Sequence, residues 1–231
     1  MQPEYRKRRD RLKKVIEGLN IDALLVTSLV NVQYLCGFTG SNGFLLISDI
    51  HEILFTDSRY IEQGSEETFN EIDVSLSPGF KGLNGVSGFS KIVNLGFESE
   101  NISHSEFLII SELLTARTKL IPTNGVVEKF RSIKDENEID FIENAACLAD
   151  RAIVHALDLV EPDISESDIA WVIEKFLREN GADDIAFDTI VATGANSSKP
   201  HHRAGPTTVK QGDSLIIDMG ASVKGYNSDI T

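Results

Sequence analysis

Asp218 and Asp229 stand eleven positions apart in the segment Asp213-Ser-Leu-Ile-Ile-Asp218-Met-Gly-Ala-Ser-Val-Lys-Gly225-Tyr-Asn-Ser-Asp229-Ile-Thr231. Carboxylates are hard oxygen donors, and two of them on one face form a cradle for a divalent cation. Leu215 to Met219 reads as a strand and Tyr226 to Thr231 as its return, with Gly225 supplying the positive φ of a tight reversal. A symmetric turn centred on Val223 and Lys224 sets Asp218 directly opposite Asp229, with side chains roughly 4.5–5.5 Å apart. Like charges so placed repel, and a bound cation would offset them. Leu215, Ile216, Ile217, Met219 and Ile230 flank the pair and argue that at least one carboxylate is buried. Two acids in an acidic chain also fit a solvated surface hairpin, and spacing alone does not choose.

A second candidate lies just upstream, in the loop Thr193-Gly-Ala-Asn-Ser-Ser-Lys-Pro-His201-His202-Arg203. Gly194 and Asn196 suit a turn leaving a strand, and Pro200 stiffens the approach to His201. Histidine titrates near neutrality, so His201 near a carboxylate–metal centre could donate to a substrate carbonyl or a developing oxyanion. Adjacent residues in extended backbone point to opposite sides, so at most one of the two histidines faces such a site. Arg59, in Phe55-Thr-Asp57-Ser-Arg59-Tyr60, can pair with Asp57 or with a substrate carboxylate, and the structural ion pair is the default. The glycines of Asn31 to Gly43 match neither the phosphate-loop nor the dinucleotide fingerprint. No Gly-x-Ser-x-Gly elbow or His-Glu-x-x-His motif occurs.

Several elements must position these groups. Residues 4–19 carry a helical stripe, and Asp22 to Ser28 reads as a buried strand. Phe44 to Ser48, Ile53 to Thr56, Val74 to Leu76, Ile92 to Phe97 and Lys119 to Pro122 are further strands. Tyr60 to Glu67 and Ser103 to Leu114 are expected helices, the second opened by a Ser103/Glu106 capping box. Beyond Thr123 the pattern changes to a long helix with Ile139, Ile142, Ala146, Ala149, Ile153, Leu157 and Val160 as its stripe, ended by Pro162. Ser165 then starts a second helix with Ile169, Val172, Ile173, Phe176 and Leu177, capped at Asn180-Gly181. Strands at Ile185 to Thr193, Leu215 to Met219 and Tyr226 to Thr231 follow. The pattern predicts an α/β (α+β) protein of two domains, residues 1–125 and 126–231.

Composition narrows the function. Among 231 residues, 22 Lys and Arg face 36 Asp and Glu, for a net charge of −14. That balance excludes a nucleic-acid or anionic-membrane partner, which needs basic stripes. The two cysteines lack metal-ligand spacing, and no apolar run approaches the ~20 residues of a membrane span. A cytoplasmic protein in a reducing compartment is the expectation.

Four stretches resemble a known family. They are Tyr34-Leu-Cys-Gly-Phe-Thr-Gly with Thr56-Asp-Ser-Arg-Tyr60, Arg131-Ser-Ile-Lys-Asp-Glu-Asn-Glu-Ile139, Phe187 through His201, and Gly212 through Thr231. Together they resemble the creatinase/prolidase/aminopeptidase P group of pita-bread metallopeptidases, and bacterial Xaa-Pro peptidases in particular. The resemblance implies an N-terminal creatinase-like α/β domain and the first half of a pita-bread catalytic domain. It implies two divalent ions, manganese before cobalt or zinc, with Asp218 binding one and Asp229 bridging both. His201 would stabilise the tetrahedral intermediate as water attacks the bond before proline. A proline-containing peptide or dipeptide substrate and a homodimer are implied too. The family's remaining ligands, a histidine and two glutamates, lie downstream of Ser228-Asp-Ile-Thr231. The chain therefore reads as part of a longer enzyme, inactive by itself. The alternatives are a non-catalytic peptide-binding or assembly protein and a creatinase-like amidinohydrolase.

Overall fold

A computed structural model describes residues 4–77 and 79–231. The chain divides into two compact units, one ending at Ile133 and one running from Lys134 to Thr231. The sequence expectation put this division at 125/126.

The first unit is built on six strands: β1 (Ala23–Val26), β2 (Gly43–Ser48), β3 (Glu52–Thr56), β4 (Asp73–Leu76), β5 (Asn94–Glu98) and β6 (Lys119–Thr123). Their order in the sheet is β4-β3-β2-β1-β5-β6. β1 pairs antiparallel with β2 and parallel with β5, so the sheet is mixed. Both faces of the central strands are covered, which is why Ala-Leu-Leu-Val in β1 is a continuous apolar run. On one face Leu24 and Val26 pack with Leu12 and Ile16 of α1 (Tyr5–Gly18) and with Val32 and Leu35 of α2 (Leu29–Cys36). On the other, Ala23 and Leu25 join Phe55, Phe80, Phe97 and Ile110.

Further helices are α3 (Ile61–Glu67), α4 (His104–Leu113) and α5 (Val126–Arg131). The Ser103/Glu106 capping box of α4 is formed as expected. Two elements lie outside the sequence expectation. α2 opens without a side-chain cap of its own; instead the buried Glu98 at the end of β5 accepts from the amides of Thr27 and Ser28 and from the Asn31 amide group. That partner is about seventy residues away, so no local motif announces the helix. α5 is a single short helix that packs with the first unit and follows Gly125, whose φ is +63°.

Cys36 lies buried in α2 with its thiol donating to the Val32 carbonyl at 3.2 Å, whereas Cys147 is exposed. Burial pushes the Cys36 thiol up to about 12, so at neutral pH its reactive thiolate is scarce. A disulfide-exchange reagent is expected to titrate one thiol in the native chain and two after denaturation. Rapid reaction of two in the native chain would contradict this packing.

In the second unit, α6 (Glu136–Leu157) and α7 (Glu166–Glu179) cover β7 (Asp184–Ile185), β8 (Ile190–Thr193), β9 (Leu215–Asp218), β10 (Ala221–Val223) and β11 (Tyr226–Asn227). β8 pairs with β9, and β10 lies between β11 and β7. α7 starts at its expected Ser165 cap, and α6 starts at an Asp135/Glu138 capping box that the sequence expectation did not place. The buried stripe of α6 also differs from the expected one. Ala145, Leu148, Ala149, Ala152 and Ala156 face inward, while Ile139 and Leu157 are about half exposed at 45% and 55%. Small side chains let α6 approach α7 and β10 closely, and the larger residues misled a reading based on hydrophobicity. α6 also ends at Leu157, ahead of Pro162.

Candidate functional site

Asp218 is the last residue of β9, where it pairs with Ile190 of β8. The chain continues through Met219, which pairs with Ile230 on the returning segment. The reversal between β10 and β11 is a two-residue turn at Lys224 and Gly225, with φ of +53° and +80°. Positive φ at both central positions marks a type I′ turn, whose twist matches the flanking strands. Val223 therefore opposes Tyr226, and Ser222 opposes Asn227.

This register corrects the expected one. Asp218 and Asp229 do not face each other directly: with Met219 opposite Ile230, the same register sets Asp229 opposite Gly220. The turn was expected one residue too early, and the positive φ of Lys224 accounts for the difference. A slip of one turn position changes pairing by two residues, which preserves the face. The two carboxylates thus remain on one side as diagonal neighbours, a relation that typically spans about 7–8 Å. Gly220 is required at its position, because a Cβ there would sit 2.1 Å from the Ser228 carbonyl oxygen and 2.9 Å from the Ala186 Cβ.

The Asp229 segment is tied to α6 from both sides. Ser228 Oγ donates to the Ala145 carbonyl at 3.0 Å, and the Tyr226 hydroxyl donates to Glu138 at 2.8 Å. Glu138 is buried and completes the α6 capping box with Asp135, so helix start and hairpin share one carboxylate. Asp229 itself is exposed, whereas Asp218 is half-buried.

One atom here lacks what its chemistry requires. Asp218 Oδ1 is buried and, among the described residues, has no hydrogen-bond partner. An unsatisfied buried carboxylate oxygen is costly, and an ion, a ligand or a water would relieve it. A second hard carboxylate on the same face suits a divalent cation, so the residues present fit one. Among the described residues no group of three or more His, Cys, Asp or Glu converges on a metal position. Two carboxylates fill only part of a shell of about four to six ligands.

The histidine loop leaves β8 at Thr193 and begins with a short 3-10 turn at Gly194–Ser198. His201 is exposed, and His202 is half-buried with Nε2 2.7 Å from Glu166 Oε2. The two imidazoles differ, His202 anchored and His201 exposed. They sit in a turn closed by His202 N–H on the Lys199 carbonyl rather than in extended backbone, so strand alternation does not account for the difference. Glu166, fully buried as the first residue of α7, also accepts from Thr193 N–H at 2.9 Å, Asn196 Nδ2 at 2.9 Å and Gly205 N–H at 3.2 Å. Burial raises the Glu166 carboxyl, but the hydrogen bonds from His202, Thr193, Asn196 and Gly205 outweigh it and hold its pKa below the ordinary glutamate value. Sequence reasoning passed over Glu166 because it matches no ligand motif. The Ser165/Asp168 cap placed it at a helix start, where acids are favoured, but its partners come from a loop about thirty to forty residues on.

In the first unit Arg59 takes the structural option. Its Nε and Nη2 donate to Asp57 at 3.0 and 2.8 Å, and the Arg59 guanidinium with Asn42 holds the Asp57 carboxyl well below the usual range.

Comparison with known proteins matches residues 8–133 to the family described as creatinase/prolidase N-terminal domain, and residues 140–231 to metallopeptidase family M24. The chain is 38% identical over 224 residues to an uncharacterized peptidase, YqhT, of Bacillus subtilis, covering 96% of this chain and 63% of that protein. It is 31% identical to a Xaa-Pro dipeptidase of Pyrococcus horikoshii, covering 96% and 63%. Among solved structures, a Xaa-Pro dipeptidase from Bacillus anthracis superposes with a TM-score of 0.89 at 34% identity, covering 98% of this chain and 64% of that one. An X-Pro aminopeptidase from Thermotoga maritima gives 0.85 at 34% identity, with 96% and 63% covered. The chain spans less than two thirds of the length of these relatives.

Proposed function

This chain belongs to metallopeptidase family M24, its first unit being a creatinase/prolidase N-terminal domain, and we propose that the whole protein is a metal-dependent Xaa-Pro peptidase. The observation that carries the reading is the partnerless buried Oδ1 of Asp218, on the same face as Asp229 in the unit matched to family M24. Asp218 and Asp229 would hold the ions, manganese before cobalt or zinc. When bound, divalent cations lower the pKa of a coordinated water and polarise the scissile carbonyl. His201, exposed on its loop, would donate to that carbonyl oxygen as charge develops on it. The substrate is a proline-containing dipeptide or peptide, in keeping with the names of the similar dipeptidases and aminopeptidase. Two copies would associate as a homodimer in the cytoplasm; among the described residues no helix is long and apolar enough to cross a membrane.

Two carboxylates leave the coordination shells incomplete, so we expect these 231 residues to be inactive without ligands from elsewhere in the whole protein. The test is an assay of the complete protein on a Xaa-Pro dipeptide, a longer Xaa-Pro peptide and creatine, after chelation and reloading with manganese, cobalt or zinc. Xaa-Pro hydrolysis that disappears with chelator and returns with metal is the expected result. Turnover of creatine alone, or no turnover with any ion, would sink the peptidase reading. Turnover by the 231-residue chain itself would refute its inactivity.

A further inference from the structure

We infer that Glu166 is a positioning residue: a buried carboxylate that sets the shape of the His201 loop by gathering donors from both ends of it. This rests on the reading of His201 given above. The loop from Thr193 to Gly205 holds one 3-10 turn and local bonds such as Lys199 N–H to the Asn196 carbonyl and His202 N–H to the Lys199 carbonyl, none of which ties its start to its end. One oxygen of Glu166 takes Thr193 N–H and Asn196 Nδ2, at the start of the loop. The other takes His202 Nε2 and Gly205 N–H, at its end. Four donors saturate an ionised carboxylate, which is acceptor-only.

The α7 N-terminus reinforces the grip with its own backbone. Ser167 N–H donates to the Gly205 carbonyl at 3.0 Å, and Glu166 N–H donates to that of Thr207 at 2.9 Å. His202 is held on the inner side by this arrangement, which leaves its neighbour His201 facing outward. No atom of Glu166 need touch substrate for this to matter. A displacement of about 1 Å in a catalytic group can cost on the order of 100-fold in rate.

The discriminating substitution is Glu166→Gln, which keeps the volume but turns one acceptor into a donor facing two donors. Two experiments read it. The first uses the chain as it is, with labelled histidines. In the native chain the His202 Nε2–H proton, bonded to an ionised carboxylate, should resonate far downfield and exchange slowly. In the Glu166→Gln chain it should vanish, and the amides of Thr193 and Gly205 should lose protection while the amides of α6 keep theirs. If those amides stay protected, Glu166 does not hold the loop. Should Glu166→Gln fail to fold, His202→Asn removes one donor only and should release the Gly205 end alone; full protection there would overturn the inference equally.

The second experiment uses the complete metal-loaded protein and a double-mutant cycle. Glu166→Gln should lower kcat/KM for a Xaa-Pro substrate by about 10- to 100-fold with His201 present, and by less than about 3-fold in the His201→Ala background. An equal loss in both backgrounds would mean that Glu166 does not act through His201. If the unmodified protein hydrolyses no Xaa-Pro substrate, the peptidase reading has failed, while the spectroscopic arm still decides the positioning role.

Discussion

Asp218→Asn is expected to abolish metal-dependent hydrolysis by the complete protein and, with no metal present, to leave the fold as stable as before or more so. The two halves come from one atom. Asp218 Oδ1 is buried without a partner among the described residues, so in the absence of a cation that oxygen goes unsatisfied. An amide in its place carries no net charge, and the relief is of the order of 1 kcal/mol. The same change removes an anionic oxygen donor from the proposed cation site. Substitutions of groups that merely orient a metal ligand already cost 10–100-fold, so loss of a ligand should cost about 10³-fold or more. Metal at 100 times its Kd stabilises the native state by about 2.7 kcal/mol, and that stabilisation should vanish in the variant. Thermal melts with and without manganese, together with the metal content of the purified protein, check both signs. Undiminished metal content in Asp218→Asn would remove Asp218 from the site.

How much of this was legible from residues alone depended on the range of the interactions involved. Elements whose signals are local emerged correctly: the Ser103/Glu106 capping box, the Ser165 cap of α7 and the apolar strands β1, β2 and β3. α2 did not, because its opening amides are satisfied by Glu98 from β5. The α6 stripe was misphased because alanine carries little hydrophobic signal, yet its small size suits a close helix contact. At the site, the face of both aspartates follows from strand alternation and survived a misplaced turn. Their expected pairing did not survive, since the observed turn has Lys224 at positive φ, which an L-residue other than Asn or Asp seldom adopts. Glu166 matches no ligand motif, and its role was hidden for the same reason as that of Glu98. In both cases a buried carboxylate works through backbone amides far away in sequence.

A third carboxylate cluster governs the stability of the first unit, and it supplies the other large effect. Arg9 is 1% exposed on α1, where its Nε lies 2.7 Å from Glu52, its Nη2 3.0 Å from Glu71, and its Nη1 donates to the Leu35 carbonyl at 3.0 Å. Burial raises the Glu52 carboxyl, but Lys13 and Arg9 outweigh it and keep its pKa below the ordinary value. A lowered folded-state pKa contributes stability at neutral pH that is lost as pH falls from the ordinary glutamate value through the folded-state one.

Arg9→Met fills the same volume without charge. It strands the partly buried Glu52 with Lys13 alone, and it leaves the Leu35 carbonyl without this donor. Removing one partner of a buried pair typically costs 3–5 kcal/mol; with Lys13 still present, about 3 kcal/mol is expected. The acid limb should change as well. With one cation gone, the Glu52 pKa rises, so the fall in stability between neutral pH and about pH 4 should be shallower than in the parent chain. Adding Glu52→Gln to Arg9→Met should recover part of the loss, because it removes the stranded charge. Hydrogen exchange of the β1 amides reads the first unit directly. Trp171, the only tryptophan, lies in the second unit, and its fluorescence serves as an internal control that should not move. If Arg9→Met leaves β1 protection unchanged, the buried guanidinium is a bystander, and the apolar layer of Leu12 and Ile16 alone holds α1 on the sheet.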